Sequence, residues 1–219
     1  MRRAASVLVV LAIALAVGAA PAHGAGPLTA GVKGGLAMHK FTGDDARGSP
    51  DWRTAWAAGG FLTLGLGSSL ALQPELLYVR KGAKFEWTAM DEFGEPIDDG
   101  ESHYKFDYLA LPVLVKYTLP TAGRVRPCVF AGPVASLKMS ARYVSDAIGV
   151  LEPAVDEEVD EVKSLDFGLA LGAGVAFPAG GRTLSVDVRY TAGLTDWPDI
   201  AEDVSNKNGG WLAMLGVAF

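Results

Sequence analysis

Residues 184–194 read LSVDVRYTAGL, and their polarity alternates at every step. Leu184, Val186, Val188, Tyr190, Ala192 and Leu194 fall on one side, while Ser185, Asp187, Arg189, Thr191 and Gly193 fall on the other. Successive side chains of a pleated backbone point to opposite faces, so this period of two predicts a β-strand with one apolar face. The pattern repeats in both directions along the chain. Upstream, Leu165, Phe167, Leu169, Leu171, Ala173, Val175 and Phe177 oppose Asp166 and a run of Gly and Ala. Downstream, Trp211, Ala213, Leu215, Val217 and Phe219 alternate to the end of the sequence.

Five further segments share the period. Leu28 to Met38 is apolar at even positions and carries Thr29 and Lys33 at odd ones, with His39 just beyond. Trp56 to Leu66 and Leu70 to Tyr78 follow, the latter opposing Gln73 and Glu75, and only Gly67, Ser68 and Ser69 separate the two. Leu109 to Tyr117 sets its odd positions against Tyr108, Ala110, Pro112, Leu114 and Lys116. Val129 to Met139 alternates against Ser136 and Lys138, but its first half is apolar on both faces, which leaves its phase open. Short connections at 67–69, 119–126 and 178–183 interleave with long ones at 42–53, 87–103, 143–163 and 196–208. Eight strands joined by short and long connections in turn predict an all-β fold, an eight-stranded antiparallel up-and-down transmembrane β-barrel.

Composition fits one such domain. The chain has 219 residues, 50% of them hydrophobic, and a net charge of -6, which gives no basic field to attract nucleic acid. Its one cysteine, Cys128, forms neither an internal disulfide nor a cysteine-based metal site. Arg2 and Arg3, an apolar run from Ala4 to Ala20 and the small residues around Ala20-Pro21-Ala22 have the layout of an export signal. Residues 1–24 are therefore expected to be removed near 22–25, leaving 25–219 as the barrel.

Alternation alone fits a soluble lipocalin-like barrel equally well, with the apolar face turned inward. The second face decides between them. It is rich in Gly and Ala with a few charges, which suits a crowded lumen, whereas a solvated face carries many charged residues. The apolar face has no charge in the middle of any segment, as expected where Arg or Lys at the bilayer midplane costs about 2–4 kcal/mol. Trp56, Tyr78, Phe167, Tyr190 and Trp211 then form an outer aromatic girdle, and Tyr117, Phe177 and Phe219 an inner one. Outer-membrane lipid is the expected surroundings and a monomer the expected state.

The segments LQPELLYVRKG (72–82), DYLALPVLVKY (107–117), RPCVFAGP (126–133), DFGLALGAGVAF (166–177) and VDVRYTAGLTD (186–196) resemble the PorT-like outer-membrane β-barrel proteins, which are related in architecture to OmpX-like and OmpA-like small barrels. The resemblance covers essentially the whole chain after the signal. It implies a barrel of the outer membrane of a Gram-negative-type bacterium, and in it the terminal Phe219 looks like the signal read by the barrel-assembly machinery. Ala110 and Cys128 depart from the family, which often has Glu and Tyr there.

The lumen face gathers Lys33, Glu75, Lys116, Asp187 and Arg189 near the short-turn ends of the first, third, fourth and seventh segments. Buried charges need partners, so Glu75 is expected to meet Lys116, and Asp187 to meet Lys33 or Arg189. An eight-stranded interior is just filled by side chains, which predicts a non-conducting barrel against a narrow channel. The long connections hold 20 of the 25 acidic residues, three, six, seven and four in chain order, opposed only by Arg47, Arg53, Lys163 and Lys207. Such loops are read as solvated, with divalent cations or a basic surface partner as the functional alternative. No cofactor is expected. A lipid-modifying hydrolase would need a base such as His39 or His103 beside a serine, but GxSxG is absent, so no catalytic residue is assigned.

Overall fold

The computed structural model describes residues 28–43, 51–147, 154–198 and 206–219, and the expected signal lies outside them. Nine strands are present among these: β1 (Leu28–Thr42), β2 (Asp51–Gly65), β3 (Leu70–Met90), β4 (Pro96–Thr118), β5 (Arg126–Ser145), β6 (Val155–Glu158), β7 (Leu165–Ala179), β8 (Arg182–Gly193) and β9 (Lys207–Ala218). All pairings are antiparallel. Neighbours run β4-β3-β2-β1-β9-β8-β7-β5, and β4 also pairs with β5, so eight strands close into a ring. β6 stands outside that ring, on the edge of β5. Closure leaves no edge strand within the ring whose amides lack partners, the requirement lipid imposes.

The parity read from the sequence is the parity of the barrel wall. Leu36, Leu171 and Leu215 are 61, 67 and 66% exposed on the outer surface, whereas Lys33, Asp187 and Arg189 are 6, 6 and 1% exposed and face the lumen. The outer surface therefore carries a continuous apolar belt, far larger than a soluble monomer shows. Trp56 stacks on Tyr78 at 5.2 Å and Tyr190 lies against Trp211 at 5.1 Å on the girdle. The Gly content of the inner face is steric. A Cβ at Gly172 would strike both the Phe130 ring and Cβ of Arg189, and one at Gly31 would strike the Phe61 ring. Small residues thus leave room for the few large side chains that fill the lumen.

Three features differ from the sequence reading. The first concerns β5, whose open phase is now fixed: Cys128, Phe130, Gly132, Val134 and Ser136 point inward. A bulge then intervenes, since Tyr108 pairs with Lys138 but Asp107 pairs with Ser140. Met139 is the extra residue, and beyond it Ala141 turns inward. The second is that 87–103 is not an irregular connection. β3 and β4 run on as a paired ladder to Met90 and Pro96, joined by a tight turn. The twelve steps from Tyr78 to Met90 carry the sheet roughly 40 Å along the strand past the girdle. Third, the connection 143–163 contains the end of β5 and all of β6.

Candidate functional site

The lumen is layered along the barrel axis. Nearest the short-turn end lies a charge layer built on β1, β3 and β8. Glu75 is its hub: Oε1 accepts from Lys33 Nζ at 2.8 Å and from Gln73 Nε2 at 2.7 Å, and Oε2 accepts from Arg189 Nη1 at 2.8 Å. Asp187 closes the circuit, 3.1 Å from Lys33 Nζ and 3.5 Å from Arg189 Nη2. Lys33 also sits over the Phe61 ring and Arg189 over the Phe130 ring, at 5.0 and 5.7 Å. Two cations and two carboxylates thus neutralise one another with side chains at most 8% exposed, and such pairing is the condition for burying them at all.

Lys116 does not reach Glu75. The β3–β4 register sets Lys116 opposite Ala71 and Gln73 opposite Leu114, so Glu75 lies further along the axis. Gln73 stands between them, accepting from Lys116 Nζ at 3.4 Å and donating to Glu75. The expected pair is relayed through an amide. Below this layer, at the short-turn end, a cavity of about 890 Å³ opens, with Lys33, Lys116 and Asp187 on its walls.

Above the charge layer, Leu77, Val79, Ala110, Val134, Leu212 and Met214 fill the lumen's middle. A second charge layer follows that the sequence reading missed. Lys81 Nζ donates to Asp166 Oδ2 at 2.8 Å and to Ser136 Oγ at 3.3 Å, and it lies 4.6 Å from the centre of the Tyr108 ring. Thr195 Oγ1 donates to Asp166 Oδ1 at 2.9 Å and accepts from the Phe167 amide at 2.9 Å. The signal was present: Lys81 keeps the odd parity of Gln73 and Glu75, and Asp166 keeps that of Gly168. Replacing Thr195 with valine should lower the unfolding free energy in detergent by about 1 kcal/mol, the net worth of a typical intramolecular hydrogen bond. An unchanged urea midpoint would remove Thr195 from the network.

An aromatic cap lies toward the opposite end. Trp197 stacks on Phe41 at 5.0 Å and lies 5.2 Å from Phe106 and 5.7 Å from Tyr104. The cap is tied down by main-chain bonds, from the Lys163 amide to the Trp197 carbonyl and from the Trp197 amide to the Asn206 carbonyl, both 2.9 Å. Lys138 Nζ reaches the Val162 carbonyl at 2.6 Å.

Neither histidine is placed as a catalytic base at the lipid rim. His39 is 2% exposed and faces the lumen. His103 sits 3.4 Å from Glu101 on the projecting sheet; partial burial, aided by Lys105, holds its imidazole below the ordinary range and so neutral at pH 7. Lys84 nearby is bonded to Glu101 and Glu86, which hold its ammonium above the ordinary range. Among the described residues no three His, Cys, Asp or Glu side chains come together as a metal site. At the short-turn end, the Phe219 amide donates to the Ala30 carbonyl at 2.8 Å, and Arg182 covers its ring at 5.0 Å.

The projecting hairpin ends in a defined turn. Asp91 Oδ1 accepts from the amides of Phe93 and Glu95 at 2.8 and 2.9 Å, and Gly94 adopts a φ of 82°, which favours glycine. The turn holds Phe93 outward, 82% exposed, amid Glu92, Glu95, Asp98 and Asp99.

Residues 20–197 match the family described as outer membrane protein beta-barrel domain. Among solved structures, the chain is similar to Neisserial surface protein A, at 13% identity and a TM-score of 0.45, covering 90% of this chain and 100% of that one. It is also similar to the attachment invasion locus protein of Yersinia pestis, at 11% identity and a TM-score of 0.41, covering 89% and 100%. OprG from Pseudomonas aeruginosa gives 11% identity and a TM-score of 0.41, covering 87% and 95%. A search of curated proteins finds no match. With the family match spanning most of the sequence and the strands closing into a lipid-fitted ring, the chain belongs to the outer membrane protein β-barrel domain family and is a small barrel of the Gram-negative outer membrane.

Proposed function

We propose that this barrel is a sealed, non-conducting, non-enzymatic monomer whose task is recognition at the cell surface, carried by its acidic projecting sheet. The observation behind this reading is the tip at Asp91–Glu95: an exposed aromatic, held by a side-chain-bonded turn, ringed by carboxylates and raised well clear of the girdle. Such a surface suits a partner that is basic around an apolar notch, with divalent cations as competing counter-ions. Within the family, the segments at 72–82, 107–117 and 166–177 support kinship with the PorT-like group. Export through the 1–24 signal and insertion by the barrel-assembly machinery through Phe219 complete the reading.

Sealing is supported by the two charge layers, the apolar middle and the aromatic cap, stacked in one narrow lumen. Planar bilayers holding the folded protein should show no conductance steps, and steady channel openings would overturn the sealed reading. Vesicles carrying the protein should adhere to polylysine-coated glass at low salt. Adhesion should fall several-fold on replacing Glu92, Glu95 and Asp99 with Gln, Gln and Asn, and should fade as ionic strength shortens the screening length to about 10 Å at 0.1 M. Adhesion indifferent to these changes would discard the acidic tip as the contact surface.

A further inference from the structure

The cavity at the short-turn end has a charge pattern that the sealed lumen does not need. Of the 25 acidic residues, 20 lie in the long connections and three, Glu75, Asp166 and Asp187, in the two lumen layers; Glu86 and Asp107 are the other two, and the short turns contain none. Residues 108–145 hold no Asp or Glu at all, yet carry Lys116, Arg124 and Arg126 at this end. Residues 167–186 are likewise free of acids and carry Arg182. Short turns face the periplasm in outer-membrane barrels. The periplasmic end is thus cationic, opposite in sign to the loops.

The cavity lies inside this cationic end. At about 890 Å³ it has the size of a small-molecule site, and its walls bring Lys33, Lys116, Arg126 and Asp187 together with the hydroxyls of Thr63 and Ser185. Asp187 is already engaged by Lys33 and Arg189. Phe219 lines the cavity, and its ring lies 5.0 Å from the Arg182 guanidinium. Lys116, in contrast, has only the long 3.4 Å contact to the Gln73 amide oxygen and no carboxylate within ion-pair distance among the described residues. Arg126 is exposed at the mouth with no described ion pair. Two cations are therefore left facing a half-enclosed space of mixed polar and apolar walls that opens to the periplasm.

We infer that this vestibule binds a small periplasmic polyanion, a molecule carrying two or more carboxylate or phosphate groups. One anionic group would sit between Lys116 and Arg126 and accept from the wall hydroxyls. The charge layer behind it, neutral as a unit, forms the floor and blocks passage further along the axis. Binding is proposed here without transport.

The test uses the full folded protein in detergent at low ionic strength, with citrate and tripolyphosphate as probes followed by titration calorimetry. One saturable site per barrel is expected for at least one probe, and which probe binds assigns carboxylate or phosphate chemistry. Lys116→Gln, which can keep the contact to Gln73 but loses the charge, and Arg126→Gln should each weaken binding by roughly tenfold, equivalent to about 1.4 kcal/mol. Arg142→Gln, whose guanidinium pairs with Asp156 at 3.0 Å on the far side of the membrane, should leave binding unchanged. Heat-modifiable gel mobility checks that each variant is folded. Absence of a saturable site for both probes, or equal weakening by Arg142→Gln, would overturn the inference.

Discussion

Replacement of Glu75 by alanine should cost roughly 3–5 kcal/mol of folding free energy, the range found when one partner of a buried ion pair is removed. Glu75 is 1% exposed and accepts from Lys33, Gln73 and Arg189. Without it, one carboxylate, Asp187, is left to answer two buried cations, and Arg189 is itself 1% exposed. The loss should appear as a lowered temperature of conversion from the compact to the unfolded band on heat-modifiable gels. Glu75→Gln should lie between wild type and Glu75→Ala, because it keeps an oxygen acceptor but not the charge. An unmoved conversion temperature in Glu75→Ala would show that the layer carries no stability, and that small residues around it alone hold the barrel.

The second large effect belongs to the outer wall. Leu171 lies midway along β7, 67% exposed on the apolar belt. Leu171→Arg places a guanidinium near the bilayer midplane and should cost about 2–4 kcal/mol when the protein unfolds from lipid vesicles. Leu184→Arg, on the outward face at the short-turn end of β8 where the chain leaves the lipid, should cost about 0–1 kcal/mol. The contrast between the two positions is the measurement. Equal and small costs at both would mean that hydrocarbon does not contact β7, and the outward assignment of every apolar face would fall with it.

How much of this architecture the sequence revealed follows from what lipid demands. Inside the hydrocarbon, a strand must be apolar on one side at every second residue, so all eight ring strands could be read as strands, though the phase of β5, apolar on both faces in its first half, stayed open. Where lipid ends, that demand ends too. The upper halves of β3 and β4 set Lys84, Glu86 and Thr88 against His103, Glu101 and Asp99 on the outward face, with Phe85 and Tyr104 on the other, the reverse of the lipid-facing pattern, and so read as a loop although they pair residue by residue. β6 is invisible for a related reason, since Val-Asp-Glu-Glu is poor in strand-favouring residues and depends on Arg142 to Ser145 for its pairing.

The site was legible by composition and less so by contact. The residues Lys33, Glu75, Asp187 and Arg189 were identifiable as inward charges, and the structure brings them together in one layer. Lys116 was misassigned to Glu75 because cross-strand reach depends on register, and the β3–β4 register is set by the hairpin turn at 91–95, far from these charges, and not by polarity. The bulge at Met139 had no sequence mark either, since an inserted residue changes parity without changing composition. Lys81 and Asp166 escaped notice by their distance from the other charges, although their parity marked them as inward.

The uninterrupted rise of β3 and β4 from lipid to tip also bears on the thermodynamics of encounter. A partner arriving from outside meets a stiff blade whose backbone is ordered before contact, so docking forfeits little conformational entropy there. Affinity at such a tip is then governed by the few side chains at the end, and exchanging those residues would retune selectivity while leaving the anchoring barrel untouched.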